Sequence, residues 1–189
     1  MKEHLDHLFK ENDIVLDKIK KELLPLDNDY VDCITDLIEN EKVLEMNDFI
    51  QHGGTSCLKH CFNVSYSSYY LCKKAGLDYR SAARGGLLHD FFLYDWRVDK
   101  DSYTGFHGFA HPKIALKNAT ELFDLNEKEK NIILRHMWPL TITPSKYPET
   151  YIVTLADKYC AVMEFFNYEN KRKQNQIKKL YTLLNVTNI

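Results

Sequence analysis

The sequence predicts an all-α fold, a single-domain bundle of helices, and three observations carry this prediction. The length of 189 residues suits one domain, and 44% of them are hydrophobic, which is enough to build a core. Breakers are sparse, with seven glycines and five prolines. Apolar residues recur at three- and four-residue intervals rather than alternating, which is the periodicity of helices.

The individual helices follow from this spacing and from the caps and breakers between them. We expect helices over residues 5–24, from about 29 onward, and over 55–75, 78–90, 112–123, 126–136 and 151–166. Thr55 or Ser56, and later Asn126, are the expected N-caps. Gly76 fits a C-terminal stop, and Pro112 fits a first helical position, where its missing N–H costs nothing.

The organisation within this one domain, residues 1–189, is expected to have three parts. N-terminal helices occupy residues 1–45, the functional core occupies 46–167, and a basic helix or tail occupies 168–189. The basic run in the last part is most simply a solvated helix face.

Charge and hydropathy argue against several classes of partner. The net charge of −2 provides no concentrated positive field, so neither nucleic acid nor a membrane is expected as a partner. The apolar runs fall far short of the ~20 residues that cross a bilayer. The first twenty residues contain no signal-peptide pattern. We therefore expect a cytoplasmic protein.

Cysteine usage fits the same compartment. The five cysteines are odd in number and irregularly spaced, so we expect reduced, mostly buried thiols. A zinc site at Cys57, His60 and Cys61 is disfavoured, because structural zinc sites use four ligands in two matched pairs.

Two aspartates stand in strongly apolar surroundings. Asp157 interrupts the apolar helix TLADKYCAV, and Asp90 lies between LLH and FF. A buried carboxylate has to be paired or bind a metal, because an uncompensated charge is costly in the interior. Four histidines also lie on or beside apolar helical surfaces: His60, His89, His111 and His136.

Metal binding accounts for these residues together. Neutral imidazole and carboxylate are the usual ligands of divalent first-row metals, and a helical bundle can point them at one centre. The alternative is that His111 caps its helix and His136 only packs in the core. The segment HGFAHPKIA is an unusual cap, so we favour the ligand interpretation.

The order of these residues resembles a known family. His60, then His89-Asp90 within GGLLHDFF, then Asp157 within TLADKYCA is similar to the pattern of the HD-domain superfamily of metal-dependent phosphohydrolases. The resemblance spans about residues 52–166 and implies a bundle of the HD-domain type. It also implies one or two divalent ions, with Fe, Mn, Co, Ni or Zn as candidates. By this resemblance the metal ligands are His60, His89, Asp90 and Asp157 for one ion, and Asp90, His111 and His136 for a second.

Five further residues are candidates for the chemistry around these ions. Arg97 is expected either to bind phosphate or to pair with Asp95, which could instead orient a metal-bound water or a ligand histidine. Lys158 is expected to contact a substrate phosphate or to point outward. His52 and His107 are loop histidines that would act as acid or base, or would simply lie at the surface.

The resemblance implies a phosphohydrolase that uses a metal-activated water on a nucleotide or related small phosphoester, with dinucleotide polyphosphates as one guess. A small phosphorylated, nucleotide-like molecule is thus the expected partner, and homodimerisation is left open. Leu93 stands where many HD phosphohydrolases carry Lys, and the Gly-Tyr-Pro triplet of the cyclic-dinucleotide branch is missing. An HD-fold diiron oxygenase acting on a small organic substrate is therefore the first alternative. A non-catalytic HD-type binding module is the second.

Overall fold

A computed structural model describes residues 27–166 of the chain. The helix expected over residues 5–24 and the basic segment expected over 168–189 lie outside that range. Inside it the fold is all-α, as predicted, apart from one short antiparallel pair of strands. No helix in this part of the chain is long and apolar enough to cross a membrane.

The elements are numbered here in chain order. The helices are α1 (Asn28–Ile38), α2 (Glu41–Leu44), α3 (Cys57–Ala75), α4 (Tyr79–Leu88), α5 (His107–Leu122), α6 (Glu127–Arg135) and α7 (148–166). Two 3-10 turns cover Glu45–Asp48 and Lys100–Ser102. The strands are β1 (Ile50–His52) and β2 (Thr55–Ser56). This hairpin was not predicted, and the Gly53-Gly54 pair forms its turn, with Gly53 at a φ of 60°.

Three caps on two helices agree with the sequence. The Ser56 hydroxyl accepts the Lys59 N–H at the start of α3, and Gly76 takes the left-handed conformation after its end, at a φ of 67°. Asn126 and Glu129 form a reciprocal capping box at the start of α6. These boundaries were predictable because each depends on a local hydrogen bond or on backbone freedom.

The predicted start of α5 is wrong. The helix begins at His107, five residues before Pro112, and Phe106 precedes it without a side-chain cap. Pro112 lacks the N–H that would bond to the Gly108 carbonyl, but its φ is compatible with a helix and only one bond is lost near the helix start. As a consequence His111 lies inside α5 and is not its cap.

Close packing of α4 against its neighbours positions the chain that follows it. A Cβ on Gly86 would lie 3.0 Å from the Ser65 Cα in α3, and one on Gly85 would lie 2.7 Å from the Ile132 Cγ2 in α6. The two glycines therefore allow α4 to approach both helices. Since α4 ends at Leu88, the residues that follow it emerge inside the bundle.

Helix α7 carries apolar side chains on its exposed side as well as on its buried side. Val153, Ala156 and Cys160 pack inward, whereas Leu155 and Tyr159 on the other side are 63% and 62% exposed. The apolar helix that carries Asp157 is therefore buried on one side only in the part of the fold described here.

The cysteines confirm the expectation of reduced, buried thiols. All five fall within residues 27–166, and all are buried and free: Cys33, Cys57, Cys61, Cys72 and Cys160.

A buried ion pair connects three helices. Arg84 in α4 contacts the Glu129 carboxylate in α6 through Nε at 3.0 Å, and its Nη1 donates to Asp36 in α1. The same guanidinium donates to the Cys33 carbonyl at 3.1 Å. Burial raises the pKa of Glu129, and Arg84 opposes that shift. Arg84 thus supplies the opposite charge in contact with a carboxylate that is buried in the interior.

We expect Arg84→Ala to lower the free energy of unfolding by about 3–5 kcal/mol, because Glu129 would stay buried without its partner. Urea denaturation of the full chain measures this change. Asp36→Ala is the matched control, since Asp36 is half exposed and its removal should cost less than about 1 kcal/mol. Equal losses in the two variants would contradict a special role for the buried pair.

Candidate metal centre

Helix ends and helix faces bring six ligand-type side chains into one buried cluster. Helix α3 contributes one histidine, the end of α4 a histidine and an aspartate, α5 and the end of α6 one histidine each, and α7 an aspartate. The six are His60, His89, Asp90, His111, His136 and Asp157, and all are buried. They are the same six residues that the sequence singled out as metal ligands.

The first ligand set is formed by His60, His89 and Asp157 with one oxygen of Asp90. Asp157 Oδ1 lies 3.1 Å from His60 Nε2 and 3.8 Å from His89 Nε2. Asp90 Oδ2 lies 3.3 Å from His89 Nε2. Ligand atoms of His60, His89 and Asp90 all lie within 4.8 Å of one another, a spacing that could hold a metal ion.

The second ligand set is formed by the other oxygen of Asp90 with His111 and His136. Asp90 Oδ1 lies 3.2 Å from His111 Nε2 and 3.6 Å from His136 Nε2. The two Nε2 atoms are 2.9 Å apart. Ligand atoms of these three residues also fall within 4.8 Å of one another. Asp90 therefore faces both ligand sets, one oxygen toward each.

The backbone fixes the tautomers of three histidines. Nδ1 of His89, His111 and His136 lies 2.8, 3.0 and 2.9 Å from the carbonyls of Gly86, His107 and Ile133. A carbonyl only accepts, so each Nδ1 carries the proton and, in the neutral ring, each Nε2 presents a lone pair to the centre.

Polar atoms without partners test whether a metal fits this cluster. His89 Nε2 and Asp90 Oδ1 are buried and have no hydrogen-bond partner. The facing Nε2 atoms of His111 and His136 cannot hydrogen-bond while both lack a proton. Buried polar groups are costly when unpaired, and a cation among these lone pairs would satisfy them all. The residues present therefore fit a metal ion.

The charge states of Asp90, Asp157 and His136 suit ligands as well. Burial lowers the pKa of His60 and His89, but the carboxylates beside them outweigh burial and raise both pKa values. Burial raises the pKa of Asp90, but His89 and His111 outweigh burial and hold that pKa well below its usual range. Burial also raises the pKa of Asp157, and the neighbouring His60 and His89 imidazoles reverse this. Burial and the neighbouring His89 and His111 lower the pKa of His136 to about 3. Ionised carboxylates and a neutral imidazole are the forms that bind metals.

Comparison with known families agrees with this geometry. A family model described as HD domain matches residues 57–162, more than half of the chain. The chain belongs to the HD domain family. Searches of the curated proteins and of the solved structures returned no match. HD domains bind divalent metals and are commonly metal-dependent hydrolases, so the buried histidine and aspartate cluster agrees with what the family implies.

Two polar residues of the HD site were not found from the sequence. The Gln51 amide, in β1, donates to Asp90 Oδ2, and Glu164 Oε2, in α7, lies 2.9 Å from His60 Nδ1. Glu164 follows Asp157 by seven residues, two helical turns, and that spacing was a usable signal for a shared face. Gln51 gave no such signal, because the hairpin that carries it was not predicted.

The prediction that His52 and His107 lie in loops is wrong, because His52 ends β1 and His107 begins α5, and each lies against a different ligand set. The His52 ring is 5.0 Å from that of His60, and its ligand atoms lie within 4.8 Å of those of His60 and Asp157. His107, the first residue of α5, stacks between Trp96 at 5.3 Å and His111 at 4.8 Å. Burial and the nearby His111 lower the pKa of His107 to about 4.

The three remaining candidates differ in their proximity to the cluster. Lys158 Nζ donates to Asp157 Oδ2 at 2.6 Å. Arg97 Nε and Nη2 donate to the two oxygens of Asp95 at 2.9 and 2.6 Å, and the described side-chain hydrogen bonds of these two residues are internal to the pair. The structure thus brings Lys158 to the ligands and does not bring Asp95 or Arg97 to them.

We expect the purified protein to contain about two divalent ions per chain and His111→Ala to contain about one, because this change removes a ligand from the second set alone. Elemental analysis of both proteins measures the content. Lys117→Ala, an exposed change on the same helix, is the control and should keep about two. Equal metal content in all three proteins would argue against two separate sites.

Proposed function

We propose that this HD domain protein is a metal-dependent phosphohydrolase acting on a nucleotide or a related small phosphoester. The observation that supports the proposal most directly is the position of Asp90, whose two oxygens face different histidine sets. Such a shared carboxylate suits two ions roughly 3.5–4 Å apart, the spacing of two-metal phosphoester enzymes. Such ions would supply Lewis acidity and a water of lowered pKa.

The protein's own contribution would be to hold and orient ligands that are already in the required form. His89, His111 and His136 present their Nε2 atoms because backbone carbonyls hold the opposite nitrogens. Asp90 and Asp157 would supply the negative charge that a divalent cation needs at a buried position. Since these groups come from packed helices, little reorganisation would be required on binding.

Lys158 is the best-supported candidate for substrate phosphate. Its ammonium group is half exposed and lies against Asp157, so it can reach a phosphate bound at the ligands without leaving its helix. Arg97 is a second candidate, which would have to exchange its bidentate bond to Asp95 for one to phosphate. In that case Asp95 would position the Arg97 guanidinium and would not orient a metal-bound water or a ligand histidine.

His107 and His52 are the proposed proton carriers. His107 is neutral at neutral pH because its pKa is lowered to about 4, and it stacks on His111 of the second set. A neutral imidazole there could accept a proton from an attacking water. His52 lies beside the first set, where it could donate a proton to the leaving group or act as a further metal ligand.

The remaining proposals concern the setting of this reaction. The native ions would be drawn from Fe, Mn, Co, Ni and Zn, which accept nitrogen and oxygen ligands. We further propose a cytoplasmic protein whose partner is a small phosphorylated molecule, and not nucleic acid or membrane. Five free, buried thiols support the reducing compartment.

We expect the protein loaded with Mn, Fe, Co or Ni to cleave at least one member of a broad phosphoester and dinucleotide polyphosphate panel, with phosphate release as the measurement. Asp90→Asn should lower the rate by about 100-fold or more, because it replaces one of the two ligand oxygens by an NH₂ group and removes the negative charge that both ligand sets share. Asp36→Asn, at an exposed acid, is the control and should retain activity. No cleavage under any metal would remove the proposal's main support.

A diiron oxygenase is the second candidate, and two observations favour it. Leu93 stands three residues after Asp90, where many HD phosphohydrolases carry a lysine, and it packs against the core. Four imidazoles in the cluster also suit iron.

If the oxygenase alternative holds, the iron-loaded protein should consume oxygen when an organophosphonate or a polyol is added. An oxygen electrode measures uptake, and the manganese-loaded protein serves as the control. Phosphoester cleavage that proceeds equally well without oxygen would exclude this alternative for the substrate concerned.

A further inference from the structure

We propose that Glu164 is a positioning residue that holds His60 as a ligand and so strengthens cation binding at the first ligand set. The inference rests on the proposed function, because it requires an ion between His60 and Asp157. Glu164 lies just beyond the stretch that matches the HD domain, residues 57–162, so the family match assigns it no role.

Two carboxylates of helix α7 contact the two ring nitrogens of His60. Asp157 Oδ1 lies 3.1 Å from His60 Nε2, and Glu164 Oε2 lies 2.9 Å from His60 Nδ1. Glu164 Oε1 accepts the Asn63 side-chain N–H at 3.0 Å. Glu164 is 7% exposed and His60 is fully buried. Both carboxylate oxygens are therefore used, and each accepts from a side chain of α3.

His60 differs in this respect from the other three histidines of the cluster. His89, His111 and His136 place Nδ1 against a neutral backbone carbonyl, whereas His60 places it against a carboxylate. A carboxylate partner fixes the tautomer with the Nε2 lone pair directed to the ion and makes that nitrogen a stronger donor.

The result is an asymmetry between the two ligand sets. Three carboxylates contact the first set, those of Asp90, Asp157 and Glu164. Among the described residues, the ion-pair contacts of the second set are with one carboxylate, that of the shared Asp90. We therefore expect the first set to bind a given cation more tightly than the second, with Glu164 contributing to the difference.

A purely structural role for Glu164 predicts something different. As a link between α3 and α7, the residue would stabilise the metal-free fold and leave metal affinity unchanged. The same helix provides a buried glutamate with such a role. Glu149 accepts from Lys128 Nζ and from the Asp78 backbone N–H, and no described contact joins it to either ligand set. Glu149→Gln is therefore the matched control for Glu164→Gln.

The glutamine substitution tests charge and acceptor at nearly constant size. His60 and Asn63 contact different oxygens of Glu164, and in a glutamine one of these two atoms becomes an NH₂ donor, so one of the two contacts loses its acceptor. If its NH₂ group faced His60, it would favour the tautomer with the proton on Nε2. Either orientation should weaken the first set.

The experiment titrates the chelated, full-length protein with Co²⁺ and compares wild type, Glu164→Gln and Glu149→Gln by calorimetry and by the visible Co²⁺ spectrum. We expect Glu164→Gln to lower the affinity of the first binding step by about 10–100-fold and to alter its spectrum. The second step should change less. Glu149→Gln should keep both steps and lose thermal stability as the metal-free protein.

Failure of the Glu164 role and failure of the proposed function give different results. If wild type binds Co²⁺ in two steps and Glu164→Gln matches it, the role of Glu164 is overturned and the proposed function stands. The role is overturned in the same way if Glu164→Gln only lowers metal-free stability, as Glu149→Gln does. If wild type binds no Co²⁺, Mn²⁺ or Fe²⁺, the proposed function fails and this inference fails with it.

Discussion

The ionised carboxylate of Asp90, buried at the centre of the bundle, is the group on which the site depends. It is 3% exposed, and burial alone would favour its neutral form. Imidazoles from three helix segments and the Gln51 amide surround it and reverse that preference. A charge in this position requires positive partners, and a bound cation would supply one. Asp90 has hydrophobic neighbours in the sequence because it lies inside the bundle together with them.

The bundle satisfies this requirement by controlling where α4 ends. Gly85 and Gly86 let the helix lie close to α6 and α3, and Arg84, one residue earlier, ties it to Glu129. His89 and Asp90 follow the end of this helix directly and therefore lie between the other candidate ligands. The glycines let α4 pack closely against its neighbours, and the ion pair fixes the position of α4 relative to α6. Rigid elements of this kind hold ligands more precisely than loops do.

Much of the fold and of the cluster could be predicted because the signals were local or energetic. Caps at Ser56 and Asn126 depend on neighbouring backbone groups, and Asp157 was conspicuous because a charge in an apolar helix needs a partner. The residues that were missed depend on tertiary geometry. Gln51 reaches Asp90 from a hairpin of five structured residues, too short to give a strand pattern. The start of α5 was misplaced because one lost hydrogen bond at Pro112 is outweighed by packing.

The five buried thiols have a practical consequence for studying this molecule in solution. Burial raises the pKa of Cys72 to about 12 and that of Cys160 to about 11, and it also raises those of Cys33 and Cys61. Thiolate is the form that reacts with maleimides and iodoacetamides, and all five side chains are buried, so native cysteines will label slowly. A cysteine introduced at Val98, which is 77% exposed, would react first. A dye or spin label can therefore be attached to the loop after α4 in the natural background, with every native sulfur left in place.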